Sequence, residues 1–375
     1  MKEIRSLTGL RGVAACFVVV YHYFNMSSGL GLFKPLLLHG YLAVDLFFVL
    51  SGFVISMTYG SLFADRVTAQ DYVGFLYRRL GRIYPLYIFV TLALAELSYT
   101  GIIHPLYGGL RSAWGLIDNI LLVQEWGLAD SIGGPSWSIS TEFAAYLLFP
   151  LLFQRLTSRP WAFGLALCIA TGLLVVVAMQ SAVTVNQVYD GIPYKIGPLD
   201  VVGTGTPYPV LRCLAGFTLG VLSFRLAQSP TISGFAGKRY IGDLAFAVTL
   251  VALTFPNADV LIVLLFVPLI ICMAMDNSIT GRLLSTGVVH WLGVISYSIY
   301  LMHIPVSYLL ESPLLNLFKS FGLTHAYTIA KMAMLAVVIA ISAVSFYGIE
   351  QPARIWSRRL GGARQSSKTY DPSVP

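Results

Sequence analysis

The sequence predicts an all-α fold, a polytopic membrane helix bundle of about ten transmembrane helices, from its composition and its apolar windows. Of the 375 residues, 57% are hydrophobic and only 11% are charged, whereas a typical soluble domain carries about 25% charged residues. Several windows, such as residues 161–179 and 327–347, pass the roughly 18 apolar residues that indicate a membrane span. A soluble globule cannot bury this much apolar surface, so the bilayer is the expected surroundings.

The predicted spans follow one another along a single domain, residues 1–360. The shortest ones are marginal for the ~20 residues that a crossing helix needs, so tilted or kinked helices are expected. The polar segment 361–375 is predicted to be a disordered cytoplasmic tail. The spans cover residues 10–26, 41–59, 83–103, 139–154, 161–179, 208–226, 241–255, 259–275, 288–310 and 327–349.

The distribution of basic residues predicts that both termini are cytoplasmic. With the N-terminus inside, most of the 24 Lys and Arg residues fall on the cytoplasmic side. Only Lys34, Arg111, Lys195 and Lys319 fall outside. This asymmetry follows the positive-inside rule.

Charge and cysteine usage exclude two classes of function. The formal net charge of +7 would favour nucleic acid in a soluble protein, but here the charges lie at helix ends, so no nucleic-acid partner is expected. The cysteines sit singly in different apolar stretches, which gives neither a metal site nor a disulfide framework. They are Cys16, Cys168, Cys213 and Cys272.

Ionisable side chains inside the predicted spans are candidates for function, because they are costly in a bilayer. Arg11 and His22 lie on the first helix, nearly on the same face and about 16 Å apart along its axis. Asp45 and Glu142 lie near the outer starts of the second and fourth spans, and His303 lies in the outer half of the ninth. Four titratable groups are therefore expected at one depth.

Each of these residues also has a structural interpretation. Arg11 can extend to cytoplasmic headgroups. His22 can be a core histidine with Asp45 as its hydrogen-bond partner, and His303 can be an interfacial residue. Glu142 is favourable in a first helical turn because of the helix dipole.

The segment 77–85, YRRLGRIYP, groups Arg78, Arg79 and Arg82 at the cytoplasmic surface. One interpretation is contact with phospholipid headgroups. The other is a phosphate-rich cytoplasmic cosubstrate, since the planar guanidinium binds phosphate through two hydrogen bonds.

Five motifs, spread over nearly the whole chain, resemble those of the acyltransferase-3 family of bacterial membrane acyltransferases. Each motif alone is common, but the five occur in the family's order. They are Arg11 with His22 after ten residues, Asp45 with Ser51, Gly52 and Phe53, Arg79 with Arg82, Trp137, Ser138 and Glu142 in PSWSISTEF, and Ser296, Tyr300 and His303 in ISYSIYLMHIP.

The resemblance implies transfer of an acyl group, most often acetyl, from cytoplasmic acyl-CoA to a hydroxyl of a carbohydrate or lipid-linked glycan. The enzyme would lie in the bacterial cytoplasmic (inner) membrane, among its lipids, with acyl-CoA as a cosubstrate and no tightly bound cofactor. A transporter or flippase remains the alternative, because buried charges are also typical of that class. A membrane scaffold would leave the buried charges unexplained.

The resemblance also implies roles for individual residues. His22 is expected to act as the general base, since its ordinary pKa of about 6.5 suits proton transfer near neutral pH. Asp45 or Glu142 is expected to orient it, and both an acyl-histidine step and direct attack by the acceptor fit the residues. The expected acyl-CoA-binding residues are Arg11, Arg78, Arg79 and Arg82, and those expected to contact the acceptor or support the site are Trp137, Ser138, Tyr300 and His303.

Overall fold

The computed structural model describes residues 3–25, 31–103, 113–158, 160–184, 188–189, 192–193, 196–201, 206–275 and 277–360. Within these ranges the fold is helical apart from a two-residue antiparallel pairing of β1 (Val188–Tyr189) with β2 (Ile192–Pro193). The predicted all-α polytopic bundle is therefore confirmed. The predicted tail, residues 361–375, lies outside the described residues.

Helices follow one another along the described ranges, and one π-helical turn, Phe346–Glu350, separates the last two. In chain order they are α1 (Arg5–Phe24), α2 (Lys34–Leu38), α3 (Ala43–Phe63), α4 (Ala69–Tyr99), α5 (Ala113–Ile120), α6 (Trp137–Ser158), α7 (Pro160–Thr184), α8 (Tyr208–Ala227), α9 (Pro230–Ala236), α10 (Ile241–Ala252), α11 (Asp259–Met275), α12 (Ile279–Leu284), α13 (Gly287–Val294), α14 (Ser296–Ser320), α15 (Ala326–Ser345) and α16 (Gln351–Leu360). Short 3-10 turns occupy Gly31–Phe33, His39–Leu42 and Gln124–Trp126.

Every predicted span overlaps a helix of the structure, and the span of residues 288–310 is divided between α13 and α14. In the described part of the chain, six helical stretches are long and apolar enough to cross a membrane, and α13 with α14 makes up to seven. This last pair is bent by 67° at a short break. The helices α10 and α11 are apolar but have only 12 and 17 residues.

The start of α4 differs from the predicted boundary at residue 83. The helix begins at Ala69, because the side chain of Thr68 accepts a hydrogen bond of 3.1 Å from the backbone N–H of Asp71 and so caps the first turn. Arginine is a good helix former and does not interrupt the helix. Arg79 and Arg82 consequently lie on the helix itself and not on a loop before it.

Glycines allow α3 and α8 to pack with their backbones in contact. A Cβ atom at Gly52 would lie 2.1 Å from the carbonyl oxygen of Phe217, and one at Gly220 would lie 2.0 Å from that of Val49. Small residues at such crossings are typical of membrane helix pairs. This contact fixes the part of α3 that carries Ser51.

The first helix, α1, packs against α13 through a similar close contact of glycines. A Cβ atom at Gly12 would lie 2.5 Å from the backbone nitrogen of Gly293, and one at Gly293 would lie 1.9 Å from the carbonyl oxygen of Thr8. Gly293 lies just before the bend between α13 and α14. The bend and α1 are therefore positioned together, which brings Ser296 beside Arg11.

We predict that Gly52→Val lowers the thermal unfolding temperature of the protein in lipid nanodiscs by several degrees, because its side chain would overlap the α8 backbone. Gly172→Val is the matched control, since Gly172 lies within α7 with open space around its Cβ position. Equal unfolding temperatures for the two variants would contradict the close contact.

Candidate active site

A cavity inside the bundle collects side chains from α1, α3, α4, α6 and α14. Its volume of about 90 Å³ has room for several water molecules, since one water needs about 10–15 Å³. Among its lining residues are those that the sequence singled out in five different helices. These are Arg11, Ser51, Arg79, Arg82, Ser138, Glu142, Ser296 and Tyr300.

Three arginines contribute positive charge to this cavity. Nη2 of Arg11 donates to Oγ of Ser296 at 3.3 Å. Arg79 is buried, lies over the ring of Tyr146 at 5.1 Å and donates weakly to its hydroxyl at 3.4 Å. Arg82 has no hydrogen bond or ion pair within the described ranges and is only half-buried. Most of the donors on these guanidinium groups are therefore available to a ligand.

Glu142 is the carboxylate that lines the cavity. It accepts a short hydrogen bond from the hydroxyl of Ser51 on α3. Its negative charge interacts with the charges of Arg11, Arg79 and Arg82. One carboxylate against three guanidinium groups leaves the lining positively charged.

Arg78 lies apart from this group. Its guanidinium lies over the ring of Tyr59 at 5.5 Å, and the residue is not part of the cavity lining. The three arginines of the predicted segment thus have different surroundings, and the structure brings only Arg79 and Arg82 together with Arg11.

The cavity lining also includes a pair of hydroxyl groups. Oγ of Ser138 and the hydroxyl of Tyr300 are 2.8 Å apart and connect α6 to α14. Trp137, the neighbouring residue, points elsewhere: its ring packs against Phe48 and lies 5.3 Å below the guanidinium of Arg212. Ser138 and Tyr300 therefore line the cavity, and Trp137 supports the adjoining helices.

The histidines His22 and His303 face each other, with ring centroids 4.9 Å apart. Nδ1 of His22 lies 2.9 Å from the carbonyl oxygen of Val18, and Nδ1 of His303 lies 2.6 Å from that of Tyr300. A carbonyl oxygen only accepts, so Nδ1 carries the proton in each neutral ring. Nε2 of His303 is buried without a partner within the described residues, and Nε2 of His22 is likewise left with its lone pair.

His22 is exposed although Tyr21 and Tyr23 beside it are buried. The other exposed side chain in the middle of α1, Val13, is nine residues away and so lies on the opposite face of the helix. Arg11, eleven residues away, lies within about 20° of His22 around the axis and lines the cavity. His22 therefore lies on the same face of α1 as Arg11, about three helical turns further along, but it is not among the residues that line the cavity.

Asp45 does not contact His22, contrary to one of the two expected partnerships. Both of its carboxylate oxygens accept hydrogen bonds from Arg212 of α8, at 2.8 Å and 2.5 Å. Both residues are buried, and Arg212 also lies over the rings of Tyr41 and Trp137. Asp45 is thus part of a neutral ion pair that joins α3 to α8.

No carboxylate in the described part of the chain is within hydrogen-bonding or ion-pair distance of His22. The ring is oriented by the carbonyl oxygen of Val18 in its own helix. Glu142, the other expected partner, interacts instead with the charges of the cavity arginines. The structure consequently separates the basic group of the site from its carboxylates.

The sequence interpretation did not single out three charged residues that form ion pairs in the structure. Arg212 lies within an apolar stretch of the sequence. An unpaired charge in a bilayer costs free energy, so its position there indicates that it has a partner. Glu350 and Arg354 lie near the end of the last predicted span, where a basic residue is ordinarily attributed to topology. Their spacing of four residues is the remaining signal, since it puts them on one helix face.

The comparisons with known proteins give one family. The family described as Acyltransferase domain matches residues 4–347. Acyltransferase MdmB of Streptomyces mycarofaciens is 29% identical over 391 residues, covering 99% of this chain and 96% of that protein. No solved structure matches the chain.

Two further relatives are longer than this chain. Peptidoglycan O-acetyltransferase OatA of Listeria monocytogenes is 27% identical over 388 residues, covering 94% of this chain and 56% of that protein. O-acetyltransferase OatA of Staphylococcus aureus is 26% identical over 331 residues, covering 81% of this chain and 51% of that protein. The chain spans about half the length of these two relatives.

We predict that Asp45→Leu lowers the free energy of unfolding by about 3–5 kcal/mol, because it leaves Arg212 buried without its counter-charge. Asp45→Leu combined with Arg212→Met recovers most of this loss, since no unpaired charge remains. Unfolding in nanodiscs measures both effects. Glu96→Leu is the control, because Glu96 is an exposed carboxylate on α4. An Asp45→Leu variant as stable as the control would contradict the pairing.

Proposed function

The chain belongs to the acyltransferase-3 family and is a multi-pass membrane O-acyltransferase, and we propose that its donor is cytoplasmic acyl-CoA and its acceptor a glycan hydroxyl. The acyl group is most simply acetyl, and the location is the bacterial cytoplasmic membrane with both termini inside. Membership of an enzyme family removes the transporter and scaffold alternatives as the primary activity.

The observation that carries this proposal is the cavity lined by Arg11, Arg79 and Arg82, with His22 eleven residues further along the same face of α1. Guanidinium groups with free donors suit the phosphates of CoA. The pantetheine arm is of the same order as the ~16 Å that separates Arg11 from His22. The thioester can therefore lie near the imidazole while the nucleotide stays at the arginines.

A glycan acceptor is supported by the names of relatives. OatA of Listeria monocytogenes is named for peptidoglycan O-acetylation, and the name of MdmB gives an acyltransferase without its acceptor. For this chain, the proposed acceptor presents a hydroxyl group to the side of the bundle where His22 and His303 lie. The hydroxyl pair of Ser138 and Tyr300 offers polar contacts on the way.

In the proposed reaction, Nε2 of His22 takes the proton of the acceptor hydroxyl. The hydroxyl oxygen attacks the thioester carbonyl, the carbon–sulfur bond breaks, and the protonated imidazole returns the proton to the leaving thiolate of CoA. The lone pair on Nε2 is available because Nδ1 donates to Val18. His303 supports the ring by direct packing. Glu142 is held by its hydrogen bond from Ser51 and attracts the arginines through its charge.

We predict that His22→Ala lowers the rate of acyl transfer by about 10²- to 10⁴-fold, the usual contribution of a positioned general base. The assay follows labelled acetyl transfer from acetyl-CoA to surface glycans in membranes that contain equal amounts of each variant. His325→Ala is the control, since it removes an exposed histidine before α15. Transfer by His22→Ala at the rate of the control would remove His22 from the mechanism.

We predict that Arg79→Ala combined with Arg82→Ala raises the KM for acetyl-CoA by at least about tenfold, because each charge-assisted phosphate contact contributes roughly 1.5–3 kcal/mol. The KM for the acceptor should change little. Arg66→Ala is the matched control, since Arg66 is exposed in the loop before α4. An unchanged KM for acetyl-CoA in the double variant would contradict the phosphate role.

A further inference from the structure

A second carboxylate–arginine pair lies at the arginine end of the bundle, where the π-helical turn joins α15 to α16. Glu350 is buried and accepts a hydrogen bond of 3.0 Å from Oγ of Ser298 through one oxygen. Its other oxygen accepts from Nη2 of Arg354, one helical turn further on. Both carboxylate oxygens of Glu350 are thus engaged.

Arg354 itself is only partly satisfied. Within the described residues its hydrogen bond to Glu350 uses Nη2, and its Nε is buried without a partner. The guanidinium lies over the ring of Phe346 at 5.4 Å. A guanidinium group has five N–H donors, so most of those on Arg354 are free to bind a further acceptor.

Arg354 is close enough to the cavity arginines for its charge to interact with those of Arg82, Arg11 and Arg79. Three like charges nearby repel Arg354, and neutralising Glu350 alone does not require that arrangement. The four arginines face two carboxylates, Glu142 and Glu350. The group therefore carries a net charge of about +2, which suits a ligand with two or more negative charges.

The position of Arg354 is fixed by the packing of α16 on α4. A Cβ atom at Gly81 would lie 2.3 Å from Cβ of Ser357, so the two helices touch at the residue before Arg82. Ser357 in turn donates to the carbonyl oxygen of Arg354 at 3.1 Å. The packing thereby holds Arg354 at the level of the cavity arginines.

We propose that Arg354 is a fourth donor-binding arginine, which contacts a phosphate group of acyl-CoA, and that Glu350 is its positioning residue. The proposal rests on the donor assigned under the proposed function. Glu350 holds one edge of the guanidinium group, and the remaining donors are free for the phosphate group that Arg82 would also bind. The site then extends from the cavity of α1 and α4 to the last helix of the bundle.

The test measures the dissociation constant of CoA by titration calorimetry on the full-length protein in nanodiscs, at several salt concentrations. Arg354→Ala is expected to raise it about tenfold and to reduce its salt dependence, because one charge-assisted contact with phosphate is lost. Arg359→Ala is the matched control: it removes the same charge from an exposed position of the same helix, and wild-type affinity is expected.

A second probe distinguishes phosphate binding by Arg354 from a purely structural role. S-acetylpantetheine lacks the nucleotide phosphates, so its weaker binding should be the same for wild type and Arg354→Ala. Arg354→Gln replaces the alanine variant if the latter does not fold. Equal CoA affinity in wild type and the Arg354 variant, or equal losses with Arg354→Ala and Arg359→Ala, overturns the role of Arg354. Absence of CoA binding by the wild type overturns the assigned donor instead.

Discussion

The site is organised around an excess of positive charge inside the bundle, which the described residues do not fully neutralise. Arg11, Arg79 and Arg82 line a cavity inside an apolar bundle together with one carboxylate, Glu142. Charges removed from water are costly unless they are paired. Three helices, α1, α4 and α6, nevertheless bring these groups together, and glycine contacts such as that of Gly12 fix the position of α1. In the proposed function, an anionic ligand supplies the missing counter-charge.

The same bundle contains an ion pair with the opposite character. Asp45 and Arg212 are buried, matched one to one, and enclosed by the rings of Tyr41 and Trp137. Arg212 also donates to the backbone carbonyl oxygens of Val201 and Tyr41, so most of its donors are used within the protein. The pair joins α3 to α8, where the helices are already in backbone contact. Matched charges thus hold helices together, and in the proposed function the unmatched charges bind the substrate.

Much of the architecture was available from the sequence, because a membrane span is a local signal of length and polarity. The shared face of Arg11 and His22 was also predictable, since it follows from helical periodicity within one segment. The partner of Asp45 was not, because Arg212 is 167 residues away and no local pattern encodes that pairing. For the same reason, the sequence did not distinguish Arg78, which lies over Tyr59, from its neighbours.

In the proposed function, a phosphate-bearing donor fills the arginine-lined cavity from the cytoplasm. Binding of radiolabelled acetyl-CoA to sealed membrane vesicles containing this protein tests it most directly. Saturable binding is expected to inverted vesicles, which expose the cytoplasmic face, and none above background to right-side-out vesicles. Equal binding to both orientations, or to neither, would contradict filling of the cavity from the cytoplasm.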